Sequence, residues 1–136
     1  MDLMRSLAIA ASGLKAQAGR MRIISENLAN ADSTGTKPGA EPYRRKIVSF
    51  DKRFDRELEA QTVSLGKVAR DQTAFQTKYD PGNPAADTSG NVKLPNVNPL
   101  VEQMDMREAQ RSYEANLNVV SATRRMISRT LDILRA

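Results

Sequence analysis

Apolar positions recur over residues 3–31 at alternating steps of three and four. Leu3, Leu7, Ala10, Leu14, Met21, Ile24, Leu28 and Ala31 form one row, with Gln17 as its polar break. A row of that period is the stripe of an amphipathic helix and has the spacing of a coiled-coil seam. Met4, Ala8, Ala11, Ala18 and Ile23 lie off it, so a second side of the helix is apolar or small. The small residues there admit two explanations, close approach of another helix or the high helix propensity of alanine. The row stops at Asn27-Leu28-Ala29-Asn30-Ala31-Asp32-Ser33-Thr34-Gly35. Gly35 and the Pro38-Gly39 pair prevent continuation. Asn27 and Asn30 place short polar side chains in the last turns, where they compete for backbone groups.

The same period returns after Asn98. Asn98 is a preferred N-cap, and Pro99 fits the first helical turn because its missing N–H has no helical partner there. The row then runs Met106, Gln110, Tyr113, Leu117, Val120, Arg124, Ile127, Leu131, Leu134, and Val119, Met126 and Ile133 make a neighbouring one. Glu102, Asp105 and Glu108 complement the positive end of the helix dipole, and Arg124, Arg125, Arg129 and Arg135 the negative end. The pattern predicts a helix of about 37 residues, ~55 Å long.

Between the helices the pattern changes. Tyr43-Arg44-Arg45-Lys46-Ile47-Val48-Ser49-Phe50, behind Pro42, is β-prone. Phe50, Phe54 and Leu58 at steps of four suggest a short amphipathic helix over residues 51–60. Val63-Ser64-Leu65, Gly66-Lys67-Val68-Ala69-Arg70 and Thr73 to Tyr79 alternate like short strands. Tyr79-Asp80-Pro81-Gly82-Asn83-Pro84 reads as a proline-rigid loop, and Gly90 to Asn96 as further extended chain. The expected architecture is mainly α: long N- and C-terminal helices packed as an antiparallel coiled-coil pair, with a middle segment of short β-strands and extended loops. Residues 1–31 with 98–136 would form the helical, tube-forming part, and 32–97 the middle segment. The pair buries one mutual seam, which leaves a second apolar side on each helix for other copies, and a period of 3.5 implies a left-handed supercoil.

Composition narrows the function classes. The chain of 136 residues has three Phe, three Tyr and no Trp, too few large aromatics for a generous self-sufficient core. Cysteine and histidine are absent, which removes thiolate ligands, the commonest metal ligand and the usual base near neutral pH. No catalytic, cofactor-binding or metal residues are expected. Asp51, Asp55 and Glu59 would share a helix face, and a solvated charged face accounts for them better than an acid pair or a metal site. The net charge of +5 divides as +2 over residues 1–31, +2 over 32–97 and +1 over 98–136. No segment therefore concentrates the field that phosphate binding needs. Arg44, Arg45 and Lys46 read as solvated charges on an edge strand in preference to a nucleic-acid contact. No run is long enough for a membrane span, and Asp2 in an otherwise basic start argues against a cleaved leader.

Several short stretches carry a family resemblance. Ser12-Gly13-Leu14-Lys15-Ala16-Gln17, the Asn27–Gly35 stretch, Glu41-Pro42-Tyr43-Arg44-Arg45-Lys46, Tyr79-Asp80-Pro81, Gly90-Asn91-Val92, Pro95-Asn96-Val97 and Tyr113-Glu114-Ala115-Asn116 resemble the bacterial flagellar basal-body rod family. The likeness covers nearly the whole chain, and Glu-Pro-Tyr-Arg-Arg with Tyr-Asp-Pro points to its proximal-rod branch. Asn83 and Asn91 depart from it, standing where relatives commonly carry His and Tyr. The resemblance implies a non-enzymatic axial subunit of the periplasmic rod, without cofactors, that transmits torque and surrounds the export channel. It would leave the cytoplasm through the flagellar type III export apparatus without a cleaved signal peptide. Its implied partners are other rod proteins and copies of itself in a helical assembly, with no nucleic acid and no direct membrane span. Asn27, Leu28, Ala29, Asn30, Thr34, Gly35, Pro42, Tyr43, Arg44, Arg45, Tyr79, Asp80, Pro81, Pro95 and Asn96 would carry the family motifs. The seams above would carry assembly. The competing classes are a soluble helical adaptor and a basic nucleic-acid-binding coiled coil.

Overall fold

A computed structural model describes residues 3–135. Met1, Asp2 and Ala136 lie outside the described residues, and with them the start of the stretch read above for a leader. The elements are α1 (Leu3–Ala29), β1 (Lys46–Asp55), β2 (Ala60–Arg70), β3 (Gln76–Tyr79), β4 (Asn91–Leu94) and α2 (Pro99–Arg135). The two helices pack together, and strands occupy the middle of the chain, as the hydrophobic pattern predicts.

Both helix boundaries follow from local chemistry. The Asn98 side-chain oxygen accepts from the Leu100 amide at 3.0 Å and the Val101 amide at 3.4 Å, occupying two N–H groups that no helical carbonyl reaches. At the end of α1 the Asn30 side chain donates to the Glu26 carbonyl at 2.8 Å, and Ser33 Oγ donates to the Asn30 carbonyl at 2.9 Å. Short polar side chains thus take over the orphan carbonyls, and the chain leaves the helix through a turn over residues 30–32.

The structure corrects one local reading. Residues 51–60 are not a helix but the end of β1, a four-residue turn and the start of β2. The Asp55 carboxylate accepts from the Glu57 and Leu58 amides at 3.0 and 3.3 Å, and Glu59 adopts a left-handed φ of 46°. Phe50 and Phe54, four apart, share a face in a strand as they would on a helix, because four is also a multiple of the strand period. The turn chemistry of Asp55 decides between the two. β2 runs unbroken through the two pieces read separately from the sequence. β3 and β4 pair antiparallel, with Gln76 opposite Leu94 and Tyr79 opposite Asn91. Their connection is tied by Asp87, whose carboxylate accepts from the Ser89 and Asn91 amides at 2.8 and 2.9 Å. Gly90, at φ 79°, closes it where a Cβ would stand 2.8 Å from the Tyr79 ring.

The chain divides into two compact units. In the first, residues 3–21, 49–67 and 107–135, α1 and α2 run antiparallel: Gly13 lies against Asn116, and Arg20 meets Glu108 at 3.2 Å. The residues most deeply buried between them are small or polar, Ala10 and Ala16 on α1, Ala109 and Thr123 on α2. A Cβ on Gly13 would come within 2.9 Å of the Asn116 amide. Close approach thus accounts for Gly13; Ala10 and Ala16 are buried, whereas Ala11 and Ala18 are exposed. The hairpin joins this unit through Leu65, packed over Gly19, and through Ser12 Oγ, which accepts from the Val63 amide at 3.3 Å. In the second unit, residues 22–48 and 68–106, Ile23, Ile24, Ala31, Ala85 and Val92 are buried around a polar centre described below.

Filling the close approach should destabilise the fold. Gly13→Val is expected to cost about 1–3 kcal/mol through overpacking against Asn116. Thermal denaturation followed by circular dichroism reads this as a lowered Tm, and an unchanged Tm would show that the helices do not meet there.

Candidate assembly site

The signature stretch ends in a buried polar clasp. Asn27 is only 1% exposed, and its side chain makes four hydrogen bonds. Its amide donates to the Lys46 carbonyl at 2.8 Å and to Glu102 Oε2 at 3.1 Å; its oxygen accepts from the Tyr43 hydroxyl and the Lys46 amide, both at 2.9 Å. Two donors and two acceptor sites are all that a carboxamide has, so Asn27 is saturated. One side chain thereby fixes the end of α1, the start of β1 and the first turn of α2. Burial pushes the Tyr43 hydroxyl pKa up, which favours the protonated donor that this arrangement requires.

Arg45 completes the clasp. Its Nε donates to Glu102 Oε1, and its guanidinium lies 3.5 Å from Asp71 and 3.6 Å from Asp105. Burial works against its charge, but bonding to Glu102 and Asp71 outweighs that and raises its pKa further above its usual range. The Arg45 amide donates to Asn96 Oδ1 at 2.7 Å, and the Asn96 amide donates to the Asp71 carbonyl at 3.0 Å. Arg44 stacks 4.2 Å over Phe75 and donates to the Asp71 carbonyl at 3.2 Å. Lys46 Nζ donates to Glu26 at 2.7 Å, which raises the Lys46 pKa and lowers that of Glu26.

This corrects the reading of Arg44, Arg45 and Lys46 as solvated edge-strand charges. Each has a named partner, because the acids that face them come from α1, from the segment after β2 and from α2. Those lie too far apart in sequence for charge patterning to connect.

The remaining motif residues are placed as follows. Pro42 and Pro95 are buried, and Leu28, Asn30, Thr34, Gly35, Tyr43, Arg44, Arg45, Asp80 and Asn96 are half-buried. Ala29, Pro81 and Tyr79 are exposed, Tyr79 lying beside Gly90. A Cβ on Gly35 would stand 2.9 Å from that of Ala40. Among the seam residues Ala10, Ile24 and Ala31 are buried. Leu3, Leu7, Leu14 and Met21 on α1 and Met106, Tyr113, Val120 and Ile127 on α2 are half-buried, while Leu117, Leu131 and Leu134 are exposed. The row most sheltered on α2 is instead Glu102, Ala109, Asn116 and Thr123, at steps of seven. Its period was visible in the sequence, but its residues are polar or small, so a hydrophobic pattern passes over it. The three acids considered together do not gather: Asp55 holds its own turn, Glu59 meets Arg5 at 3.4 Å, and Asp51 lies beside Gly66. Among the described residues no helix is long and apolar enough to cross a membrane.

Comparison with known proteins fits these features. Residues 7–37, which contain most of α1 and the clasp asparagine, match the family described as "Flagella basal body rod protein". Residues 88–133, which contain β4 and most of α2, match "Flagellar basal body rod FlgEFG protein C-terminal". The flagellar basal-body rod protein FlgC of Agrobacterium fabrum is 55% identical over 94% of this chain and 92% of its own length. That of Bacillus subtilis is 39% identical over 98% and 99%. The Salmonella typhimurium FlgC is 38% identical over 98% of both chains. The chain belongs to the FlgC family of flagellar basal-body rod proteins. It is a structural, non-enzymatic subunit of the flagellar basal-body rod, so the clasp and the exposed helix rows serve architecture.

Two outcomes test the clasp. Asn27→Leu leaves the Lys46 amide and carbonyl and the Tyr43 hydroxyl without their partner, and is expected to cost about 2–4 kcal/mol in urea denaturation. Unchanged stability would show the four bonds to be dispensable. The second outcome concerns pH. The Thr73 amide and hydroxyl, and then Arg45, hold the Asp71 carboxyl below the usual carboxylate range. A depressed folded pKa contributes stability that is complete above the unfolded value, near 4, and is lost as pH falls through the folded one. Stability should therefore drop as pH is lowered from about 5 toward 2. Asp71→Asn should flatten part of that decline, and an equally steep decline in the variant would refute the assignment.

Proposed function

We propose that the chain polymerises with other rod proteins and with copies of itself into the hollow proximal rod. That rod transmits motor torque across the periplasm and surrounds the export channel. On this reading residues 1–31 and 98–136 form the tube as a left-handed coiled-coil pair, and residues 32–97 face outward or brace adjacent subunits. The subunit reaches its place through the flagellar type III export apparatus. The Asn27–Gly35 stretch is the junction at which the tube-forming helix hands over to the middle segment.

One observation supports this reading above the others. Among the described residues α2 carries large apolar side chains left about half exposed: Leu117 at 45%, Val119 at 47%, Met126 at 49% and Leu131 at 51%. Contiguous exposed apolar rows mark contact surfaces. The helices meet instead through small and polar residues, which leaves the seams of Leu3, Leu7, Leu14, Met21 and Leu28 on α1, and of Met106, Tyr113, Leu117, Val120, Ile127, Leu131 and Leu134 on α2, to be completed by neighbouring subunits; Ile24 of that seam is already buried. A nucleic-acid role for Arg44, Arg45 and Lys46 is disfavoured because the clasp already engages them.

Leu117→Asp or Leu131→Asp is expected to abolish swimming and to prevent recovery of the subunit in isolated basal bodies, while the chain is still exported and keeps its Tm. Both positions are exposed, so folding should tolerate the charge. Normal motility in either variant would refute the requirement for that part of the seam.

A further inference from the structure

The clasp of the second unit is closed by segments that lie far apart in the chain. Asn27 reaches the Tyr43 hydroxyl across 16 residues and the Lys46 backbone across 19, but it reaches Glu102 across 75. Arg45, which donates to the other Glu102 oxygen, lies 57 residues from it. The connection of β3 to β4 is tied in the opposite way, by bonds to Asp87 that span two and four residues. Buried apolar side chains divide along the same line. Ile23, Ile24 and Ala31 come from residues 22–48, and Ala85 and Val92 from residues 68–106, so each segment brings only part of what the unit buries.

A half-made clasp has little to hold it. Before Glu102 arrives, one Asn27 N–H and the Arg45 Nε lack the acceptor they have in the fold, and water serves them better than burial does. Glu102 is 1% exposed in the finished structure, so its place exists only once Asn27 and Arg45 are both there to meet it. Mutual dependence of this kind makes a buried polar network close as a set. The entropy lost in bringing two residues together also grows with the chain between them, which puts a contact across 75 residues after one across four.

We propose that the clasp is a folding interlock, which closes after the local structure of its unit and only when Asn27 and Glu102 are free at the same time. In the fold the Asn27 amide stands 3.1 Å from Glu102 Oε2. The 75 residues between them, held extended, would span roughly 250 Å. While either residue is still inside an export channel the two cannot meet, whichever end of the chain leads. A subunit in transit therefore stays open, with the polar groups of Asn27, Tyr43, Arg45 and Glu102 hydrated, and closes in one step once the whole span has left. The interlock rests on the reading of the chain as an exported rod subunit, and adds to it the step at which that subunit folds.

Stopped-flow refolding and unfolding of the purified full-length chain in urea separate early contacts from late ones. Glu102→Gln keeps the size of the side chain and removes its charge. It is expected to speed unfolding about tenfold while changing refolding by less than about twofold. Asp87→Ala frees the local β3 to β4 connection, and is expected to slow refolding about threefold with unfolding nearly unchanged. Refolding slowed by Glu102→Gln as much as unfolding is accelerated would place the clasp early and overturn the proposal. Equal effects of the two variants on refolding would do the same. Should Glu102→Gln fail to fold, Arg45→Lys, which keeps the charge and loses the Nε donor, is read in the same way. The rates belong to the free chain, so an early clasp removes only the interlock and leaves the rod reading standing. Normal swimming of Leu117→Asp would instead count against the assembly seam and leave the order of folding as measured.

Discussion

The structure depends on keeping one buried polar group fully paired. Asn27 and Glu102 are each 1% exposed, so neither can fall back on water. A polar group in that position costs on the order of 1–3 kcal/mol for each partner it lacks. The requirement to satisfy Asn27 therefore dictates the neighbourhood: a backbone segment must pass at Lys46, a hydroxyl must arrive from Tyr43, and a carboxylate must come from the first turn of α2. Glu102, buried in its turn, accepts from Arg45. Arg45 brings Asp71 and Asn96 with it. The family signature is thus a set of mutual hydrogen-bonding obligations, which explains why Pro42-Tyr43-Arg44-Arg45 and Pro95-Asn96 belong with it although they are distant in sequence.

A second constraint acts between the helices of the first unit. Gly13 and Asn116 meet with no room for a Cβ, and the deepest positions around them are alanines and a threonine. Small residues bring backbones close but bury little apolar area, so the stabilisation from this interface is modest. Leucines, isoleucines and methionines that would ordinarily fill a core are left half-buried or exposed. For a self-contained globule that would be a liability. For a rod subunit it accords with the proposed division of tasks, in which small and polar residues fix the fold of one copy and large apolar ones are left for its neighbours.

The basic residues show how placement decides meaning. Read along the chain, Arg44-Arg45-Lys46 is a short positive run beside an edge strand. In the fold, alternation along extended chain sends Arg45 one way, toward Glu102, and Arg44 and Lys46 the other, toward Phe75 and Glu26 respectively.

By itself the sequence determined the two long helices, the stop of the first within the Asn27–Gly35 stretch and the start of the second at Asn98, the strand-forming middle and the family. All of these rest on local rules: a period near 3.5 selects the helix, an asparagine or proline terminates or starts it, and a run of short motifs identifies the relatives. The tertiary structure decided which face of each helix is buried, that residues 51–60 form a hairpin turn, and that Asn27, Arg45 and Glu102 are partners. The physical reason is common to the three. A spacing of four fits helix and strand alike until the Asp55 turn excludes one. A row of Glu102, Ala109, Asn116 and Thr123 has no hydrophobic signal, and its place in the fold shows only when Gly13 on the other helix is found against Asn116 and Arg45 against Glu102. The Glu102 carboxylate becomes buried and paired only when chain segments 57 and 75 residues away in sequence arrive beside it.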